Sequence, residues 1–420
     1  MNDALTALDL ACHPAAWECT PELDAERFAA LRRRLVLDHC KWDPQVGDVS
    51  TLARFAVLLP TDEWRRLARL AERLAAETDS AERELLRRPD SMRRLGLPAA
   101  VLRALAETDR PPTPAAARVI RFDFHPTPDG WRISEANSDV PGGYTEASSF
   151  ASLMAKHFPG CTPVGDPAAR LADALAAAAK RIALVAAPGY MEDQQVAAFV
   201  AALLRRRGCI VHLTNPRQIR WVNGVARVGA ADPADAIFRF YQAEWLADLP
   251  PRLGWSCFFR GGRTPVCNPG TALLTESKRF PLTWDRLPVR LDAWRALLPP
   301  TRVPGGGGRD WLLKAALSNT GDEVILPGLA GRTRRLTAFL QSRLWRSHWV
   351  AQRRFEATPL WTPAGWMYPC LGVYTINGVA SGVYGRLAPR PLIDFAAVDA
   401  VVLIRNAAGR ESANGERRNL

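Results

Sequence analysis

Four side chains able to handle an anion and a hard cation fall within seventeen residues of this chain: Arg121, Asp123, Glu135 and Asn137, in RFDFHPTPDGWRISEAN. Pro128-Asp129-Gly130 suits a three-residue hairpin loop, with Pro at the second position of a type I turn and Gly in the left-handed bulge. That loop predicts Thr127 opposite Trp131. Counting back with period two along both strands, it sets Asp123 opposite Glu135 and Arg121 opposite Asn137, all four on one face, while Phe122 and Phe124 go to the core. Two facing carboxylates repel unless a cation lies between them, and an Asp/Glu/Asn oxygen set is what Mg²⁺ takes, usually beside nucleotide phosphates. Arg121 would then hold a second anion. The same residues serve equally well as a solvated hairpin with Arg121 salt-bridged to its neighbours, so the rest of the chain has to decide.

With 420 residues, 48% of them hydrophobic, the chain can bury a core large enough for two or three globular units. Residues 22–108 read as helices from apolar spacings of three and four, with KWDPQVGDVS as the loop between the first two. Pro111, Pro112 and Pro114 punctuate the change to the hairpin. From 166 the pattern becomes a β-α-β unit: an Ala-rich helix, the strand IALVAA, the loop PGYMED, a helix ending at Gly208, and the strand CIVHLTN. The strand AIFRFY and a short helix QAEWLADL follow, implying a parallel sheet. Only Gly189 stands in the turn after the first strand, so no dinucleotide fingerprint is present. Arg239 and Glu244 lie at the strand end where open α/β sheets bind ligands; a buried structural ion pair explains Arg239 equally well.

Of the 55 basic residues only five are lysines: Lys41, Lys156, Lys180, Lys278 and Lys314. A chain that writes its positive charge as Arg keeps Lys where a compact point charge is wanted. Lys314 sits in the apolar run WLLKAAL, where an unpaired ammonium is costly, and a small polar turn, Ser318-Asn319-Thr320-Gly321, follows it. Such a charge calls for an anion; an edge-strand lysine reaching out to solvent is the plain alternative. The Gly305–Gly308 run reads as a connector. Three strand-like pieces close the chain, HWVAQRRFE, MYPCLGVYTI and VASGVYGR, with Asn377-Gly378 turning between the last two, and a polar tail begins at Asn406.

The net charge of +12 and pI near 9.7 are spread along the chain and accompany no nucleic-acid signature, so a small anionic substrate is expected and nucleic acid is not. No apolar run reaches the roughly 18 residues of a membrane span, and the first ten residues lack a signal-peptide pattern, so no membrane partner and a cytoplasmic location are expected. The eight cysteines form no C-x-x-C pair and read as reduced thiols. The Cys12, His13, Cys19, His39, Cys40 group fits no standard zinc spacing.

Taken in order, R-F-D-F, E-x-N twelve residues after the Asp, a small-residue loop, T-E-S-K, a strand lysine 36 residues beyond that Lys, a V-A-Q strand and G-V-Y-G-R resemble the synthetase domain of glutathionylspermidine synthase and its relatives, a circularly permuted ATP-grasp family. The resemblance runs from about residue 110 to 405 and extends into the N-terminal helices. It implies an α/β (α+β) ATP-grasp fold: residues 1–110 as an N-terminal helical segment packed on the synthetase body, 111–165 as the metal-binding hairpin half, 166–265 as an inserted parallel α/β substrate domain, 266–405 as the nucleotide-binding half and 406–420 as a loose tail. It further implies Mg²⁺ on Asp123, Glu135 and Asn137; ATP phosphates on Lys278 and Lys314 under a phosphate loop at Thr320 and Gly321; adenine along Trp349, Val350, Ala351 and Gln352; Arg121 and Arg386 stabilising the transferring phosphoryl; and peptide and amine substrates near Glu192, Asp193, Arg239 and Glu244. The implied activity is an ATP-dependent carboxylate–amine ligase acting on small molecules, without a Ser or Cys nucleophile. A non-catalytic nucleotide- or peptide-binding member is the alternative. The chain departs from the pattern in its phosphate loop SNTGDEV, with one glycine and two acids, and at Val140 and Pro141, where a small hydroxyl residue is expected; the acyl donor and acceptor can therefore differ from the family's.

Overall fold

The computed structural model describes all residues except 1–4, 47–48, 108–114, 230–232, 306–307, 309, 318–323, 327–331, 395 and 406–420. The prolines at 111, 112 and 114, the loop containing Thr320 and Gly321, and the tail lie outside the described residues.

Helix α1 (Ala25–His39) is capped by Asp24, whose side chain accepts from the Arg27 amide, and ends on Cys40 in the left-handed conformation. Strand β1 (Leu52–Leu59) and the long helix α2 (Thr61–Leu86) follow, then α3 (Ala99–Ala106). The hairpin is β2 (Val119–Thr127) with β3 (Gly130–Asn137). Next come α4 (Pro167–Ala178), β4 (Arg181–Ala186), α5 (Met191–Arg206), β5 (Ile210–Thr214), β6 (Ala236–Phe240) and β7 (Val266–Cys267). Further along come β8 (Thr301–Arg302), β9 (Trp311–Ala315), β10 (Val324–Ile325), α6 (Arg332–Leu344), β11 (Trp349–Arg353), β12 (Gly365–Ile376), β13 (Val379–Ala388) and β14 (Val398–Arg405).

Three sheets organise this mixed α/β fold. The largest, with nine strands, runs β1-β14-β13-β12-β2-β3 and is completed by short pieces at Glu18–Cys19, Cys161–Pro163 and Leu360–Thr362. A parallel sheet runs β7-β6-β4-β5, and an antiparallel one runs β8-β11-β9-β10. The expected β-α-β unit is present as β4-α5-β5, and Asn377 and Gly378, both at positive φ, make the β12–β13 turn.

Two elements differ from the sequence reading. Residues 22–108 are not helical throughout, because β1 enters the largest sheet parallel to β14. Both strands are short apolar runs buried on both faces, and such runs carry no period that separates strand from helix.

The largest sheet is packed on both faces. On one, Leu67, Leu70 and Leu74 of α2, spaced three and four apart, join Phe122, Phe124 and Val373 in one core. Each large side chain buried there contributes about 1.5–3 kcal/mol. On the other, Val119 and Tyr374 pack with Leu171 and Leu175 of α4 and Phe199 of α5. Glu63, buried in the first turn of α2, accepts from the Trp131 indole at 2.7 Å and so ties the helix to the hairpin.

Candidate functional site

Backbone pairing places Thr127 opposite Gly130, one residue earlier than the expected three-residue loop, so the loop is Pro128-Asp129. A bulge between Phe122 and Phe124 makes Asp123 face both Ser134 and Glu135, and this extra residue on β3 brings Arg121 opposite Asn137 after all. Phe122 and Phe124 are fully buried, and the polar four share the opposite face.

On that face Arg121 grips Asp123 with two bonds, Nε to Oδ1 at 2.7 Å and an Nη to Oδ2 at 3.0 Å, while Asn137 Nδ2 donates to Asp123 Oδ2 at 3.1 Å. The other Arg121 Nη donates to the Gly142 carbonyl at 2.8 Å, and the guanidinium lies over the Tyr384 ring, 5.3 Å from its centroid. Gly372, paired with Asp123 across β12, makes room: a Cβ there would stand 2.7 Å from Arg121 Cδ and 3.0 Å from Asp123 Oδ1.

Two lysines arrive from separate elements. Lys278 follows the turn Leu273–Glu276, and its amide donates to Ala316 O at 2.8 Å, which fastens that segment to the end of β9. Its ammonium lies 3.1 Å from Glu135 and 3.6 Å from Glu276. Lys314, on β9 and 4% exposed, donates to the Ser134 carbonyl at 2.9 Å, and among the described residues no carboxylate lies within ion-pair distance of it. Burial pushes the Glu135 carboxyl up, but Lys278 and Lys314 outweigh burial and hold it at about 2. Burial pushes the Lys314 ammonium down to about 8; Glu135 opposes that shift and Lys278 adds to it. Burial also depresses Lys278, yet Glu135 and Glu276 more than compensate and leave it above the ordinary range.

Arg386, on β13, donates to Asp394 O at 3.2 Å, and its Nε is buried without a hydrogen-bond partner among the described residues. The strand Trp349–Gln352 is β11, in which Val350 pairs with Lys314 and Ala351 with Leu313. Lys314 and the stretch expected along the adenine thus share one sheet. Thr320 and Gly321 lie outside the described residues.

The structure brings together Arg121, Asp123, Glu135, Asn137, Lys278 and Lys314, two carboxylates and an amide against three cations. Glu192 and Asp193 lie in the first turn of α5, where Glu192 is within electrostatic reach of Asp43, Lys41 and Arg386. Burial raises both carboxyls, Asp193 to about 7. Glu244, in a short helix after β6, is likewise raised to about 7 by burial and then by Asp139. Arg239 is 1% exposed, and its donors are taken by Asp139, the Asn268 carbonyl at 3.1 Å and the Tyr241 carbonyl. Its guanidinium has the surroundings of a structural ion pair that fixes the loop carrying Glu244. Arg239→Ala is expected to destabilise the protein by about 3–5 kcal/mol, since it strands Asp139 in the core, with a lowered melting temperature as the readout.

Sequence reading missed a neighbouring cluster. Lys41, 4% exposed, pairs with Glu146, with Asp43 at 2.9 Å and with Asp399 at 3.5 Å; Tyr384 donates to Asp399 at 2.6 Å. The same Tyr384 ring lies under Arg121, so the cluster supports the site from behind. The scarcity of lysine was the signal that pointed to Lys41.

A family model described as glutathionylspermidine synthase preATP-grasp matches residues 51–397. Among solved structures the chain is similar to the apo form of a glutathione synthetase-like effector from Globodera pallida, with a TM-score of 0.61 and 13% identity over 92% of this chain and 99% of that one. It also matches a putative gamma-glutamylcysteine synthetase from Methylobacillus flagellatus KT, with a TM-score of 0.39 and 12% identity over 79% of this chain and 85% of that one. The first likeness speaks for the fold. No curated protein matches.

Proposed function

The chain belongs to the glutathionylspermidine synthase preATP-grasp family, and from that premise we propose that it is an ATP- and Mg²⁺-dependent ligase joining a small carboxylate or peptide to an amine. The observation that carries this reading is Lys314, a buried ammonium with no described carboxylate within ion-pair distance, on the face that holds Asp123 and Glu135. A carboxylate resists amide formation because its oxygen leaves poorly. In the proposed sequence a carboxylate oxygen attacks the γ-phosphorus and ADP leaves; the amine nitrogen then attacks the acyl carbon, phosphate leaves and the amine gives up a proton.

The donor set fits a hard cation. Glu135 is ionised across the working pH range, Asp123 adds a second carboxylate, and Asn137, which donates to Asp123 through Nδ2, keeps its Oδ1 as an acceptor. Mg²⁺ held by these three would neutralise phosphate charge. In the free protein Arg121 and Lys278 sit as counterions on Asp123 and Glu135. A metal nucleotide would take both acids over, releasing Arg121 and Lys278 to face phosphate oxygens beside Lys314 and Arg386. Trp349–Gln352 would line the adenine.

Lys314 gives the reading a pH signature. Its folded pKa lies below the roughly 10.4 of an unfolded lysine, so between about pH 8 and 10.4 the unfolded chain binds more protons and the free protein gains stability as pH rises through that window. Nucleotide binding needs the charged form and should weaken over the same rise, an opposition that melting curves with and without nucleotide will register.

Hydroxylamine tests the chemistry. With ATP, Mg²⁺ and a panel of small acids and short peptides, it should intercept an acyl phosphate as a hydroxamate in step with ADP. ADP formed from every acid without hydroxamate would contradict the amide-forming reading.

A further inference from the structure

The segment TESKR, Thr275 to Arg279, reaches a different part of the molecule at nearly every residue. Thr275 donates to Glu82 of α2 at 2.6 Å, Glu276 accepts from the Asp139 amide at 3.1 Å, and Ser277 donates to the Leu95 carbonyl at 2.6 Å. Lys278 meets Glu135 with its ammonium and Ala316 O with its amide. Arg279 has no task in the proposed reaction, yet it is only 7% exposed, and every described bond of its guanidinium goes to a backbone carbonyl. Nε donates to Arg94 O at 2.6 Å, and one Nη donates to both Arg346 O and Trp349 O at 2.8 Å.

Those carbonyls belong to two separate turns. Arg94 lies in the turn Arg93–Leu95, before α3, and Arg346 and Trp349 bracket the turn Arg346–His348 that leads into β11. The turns also touch directly. Gly96, at φ +71°, leaves no room for a side chain: a Cβ there would stand 2.2 Å from Ser347 O and 3.0 Å from Arg279 Cδ. Burial, and after it the charge of Arg94, pull the guanidinium below its ordinary pKa, so the position is not one that a cation favours for its own sake. What a guanidinium supplies there is a planar fork that fixes the direction of each bond, which a flexible ammonium does not.

Lys278 and Arg279 divide the fastening of one sheet between them. The Lys278 amide holds the end of β9, the strand that carries Lys314, whereas the Arg279 side chain holds the start of β11. The amide of Ala316 donates to His348 O at 2.8 Å and ties the two strand ends together.

We propose that Arg279 is a positioning residue that sets β11 against the turn Arg93–Leu95, and so places the strand along which the base of the nucleotide lies, while Lys278 and Lys314 meet its phosphates. The assignment rests on the reading of Trp349–Gln352 as the adenine strand. Without the carbonyl bonds β11 can shift, and a displacement of about 1 Å is enough to cost roughly a hundredfold in an oriented site. The loss falls on the base, because β9 keeps its own tie to Lys278.

Calorimetric titration of the full chain with a non-hydrolysable ATP analogue and with inorganic tripolyphosphate, both in the presence of Mg²⁺, separates the base from the phosphates. Wild type is expected to bind the analogue about tenfold or more tightly than tripolyphosphate, the difference being the contribution of the adenosine. Arg279→Met should lose most of that preference while binding tripolyphosphate as wild type does, a selective loss that general loosening of the fold would not produce. Arg279→Lys, which keeps the charge and can reach one carbonyl, should fall between the two, and it carries the test should the methionine variant not fold. In turnover the KM for ATP should rise while the KM for the acid stays unchanged. Variants that keep the preference, or that lose tripolyphosphate binding to the same extent, would overturn the assignment and leave the nucleotide site standing. If wild type binds neither compound, the ATP-dependent reading itself falls and the assignment falls with it.

Discussion

Lys314→Met is expected to abolish ATP-dependent turnover, by a thousandfold or more, while leaving the unfolding free energy within about 1 kcal/mol of wild type. A fixed cation at a transferring phosphoryl group contributes about 4 kcal/mol to the transition state in a closed site, which is the stated factor in rate. The same ammonium contributes little to the fold. Its described hydrogen bond goes to one carbonyl, and burial has already pushed its pKa down to about 8. Methionine fills a similar volume without a charge to desolvate, and that relief offsets the lost hydrogen bond. A variant that kept its turnover would remove Lys314 from the chemistry. One that unfolded would make the lysine a structural element.

Glu135→Gln should lose activity on a similar scale, a hundredfold to a thousandfold, but with the opposite effect on the fold. Glutamine keeps the shape and loses the charge that Lys278 meets at 3.1 Å, leaving that ammonium with Glu276 at 3.6 Å. A buried ammonium deprived of a charged acceptor costs about 1–3 kcal/mol. The acid limb should change too. Because the folded pKa of Glu135 is depressed to about 2, its contribution is present above the unfolded value of about 4.3 and is lost as pH falls from there towards 2. The variant should lack that component. Melting curves from pH 2 to 7, alongside Mg²⁺-dependent ADP release, separate the two effects; unchanged Mg²⁺ dependence would take Glu135 out of the metal set.

How far the site could be read from sequence depended on the kind of signal. Alternation in RFDF and the turn residues after it placed four polar side chains on one face, and the pairing of Arg121 with Asn137 followed. The bulge at Asp123 did not, because a bulge inserts a residue without changing composition, and here it cancelled an error of one residue in the loop. The parallel unit around β4 was legible since its strands and helix differ in period. Strands β1 and β14 were not, being short apolar runs that pair with each other across nearly the whole chain. Lys41 and its three acids illustrate a further limit: Asp43 is a near neighbour in sequence, but Glu146 and Asp399 are distant, and only folding brings them to the lysine. For Arg239 the sequence left ligand contact and buried pair equally open, and the saturated guanidinium gives it the setting of the pair.

The central claim, a metal–nucleotide site on the hairpin face, is tested most directly by thermal unfolding of the wild-type chain with a non-hydrolysable ATP analogue, with and without Mg²⁺. At about a hundred times its Kd, a ligand bound only to the native state stabilises by roughly 2.7 kcal/mol. The account predicts that stabilisation when both are present and little of it when either is omitted. Unchanged unfolding with both present would mean that Asp123, Glu135, Lys278 and Lys314 form an internally satisfied charge network, and the claim would fail.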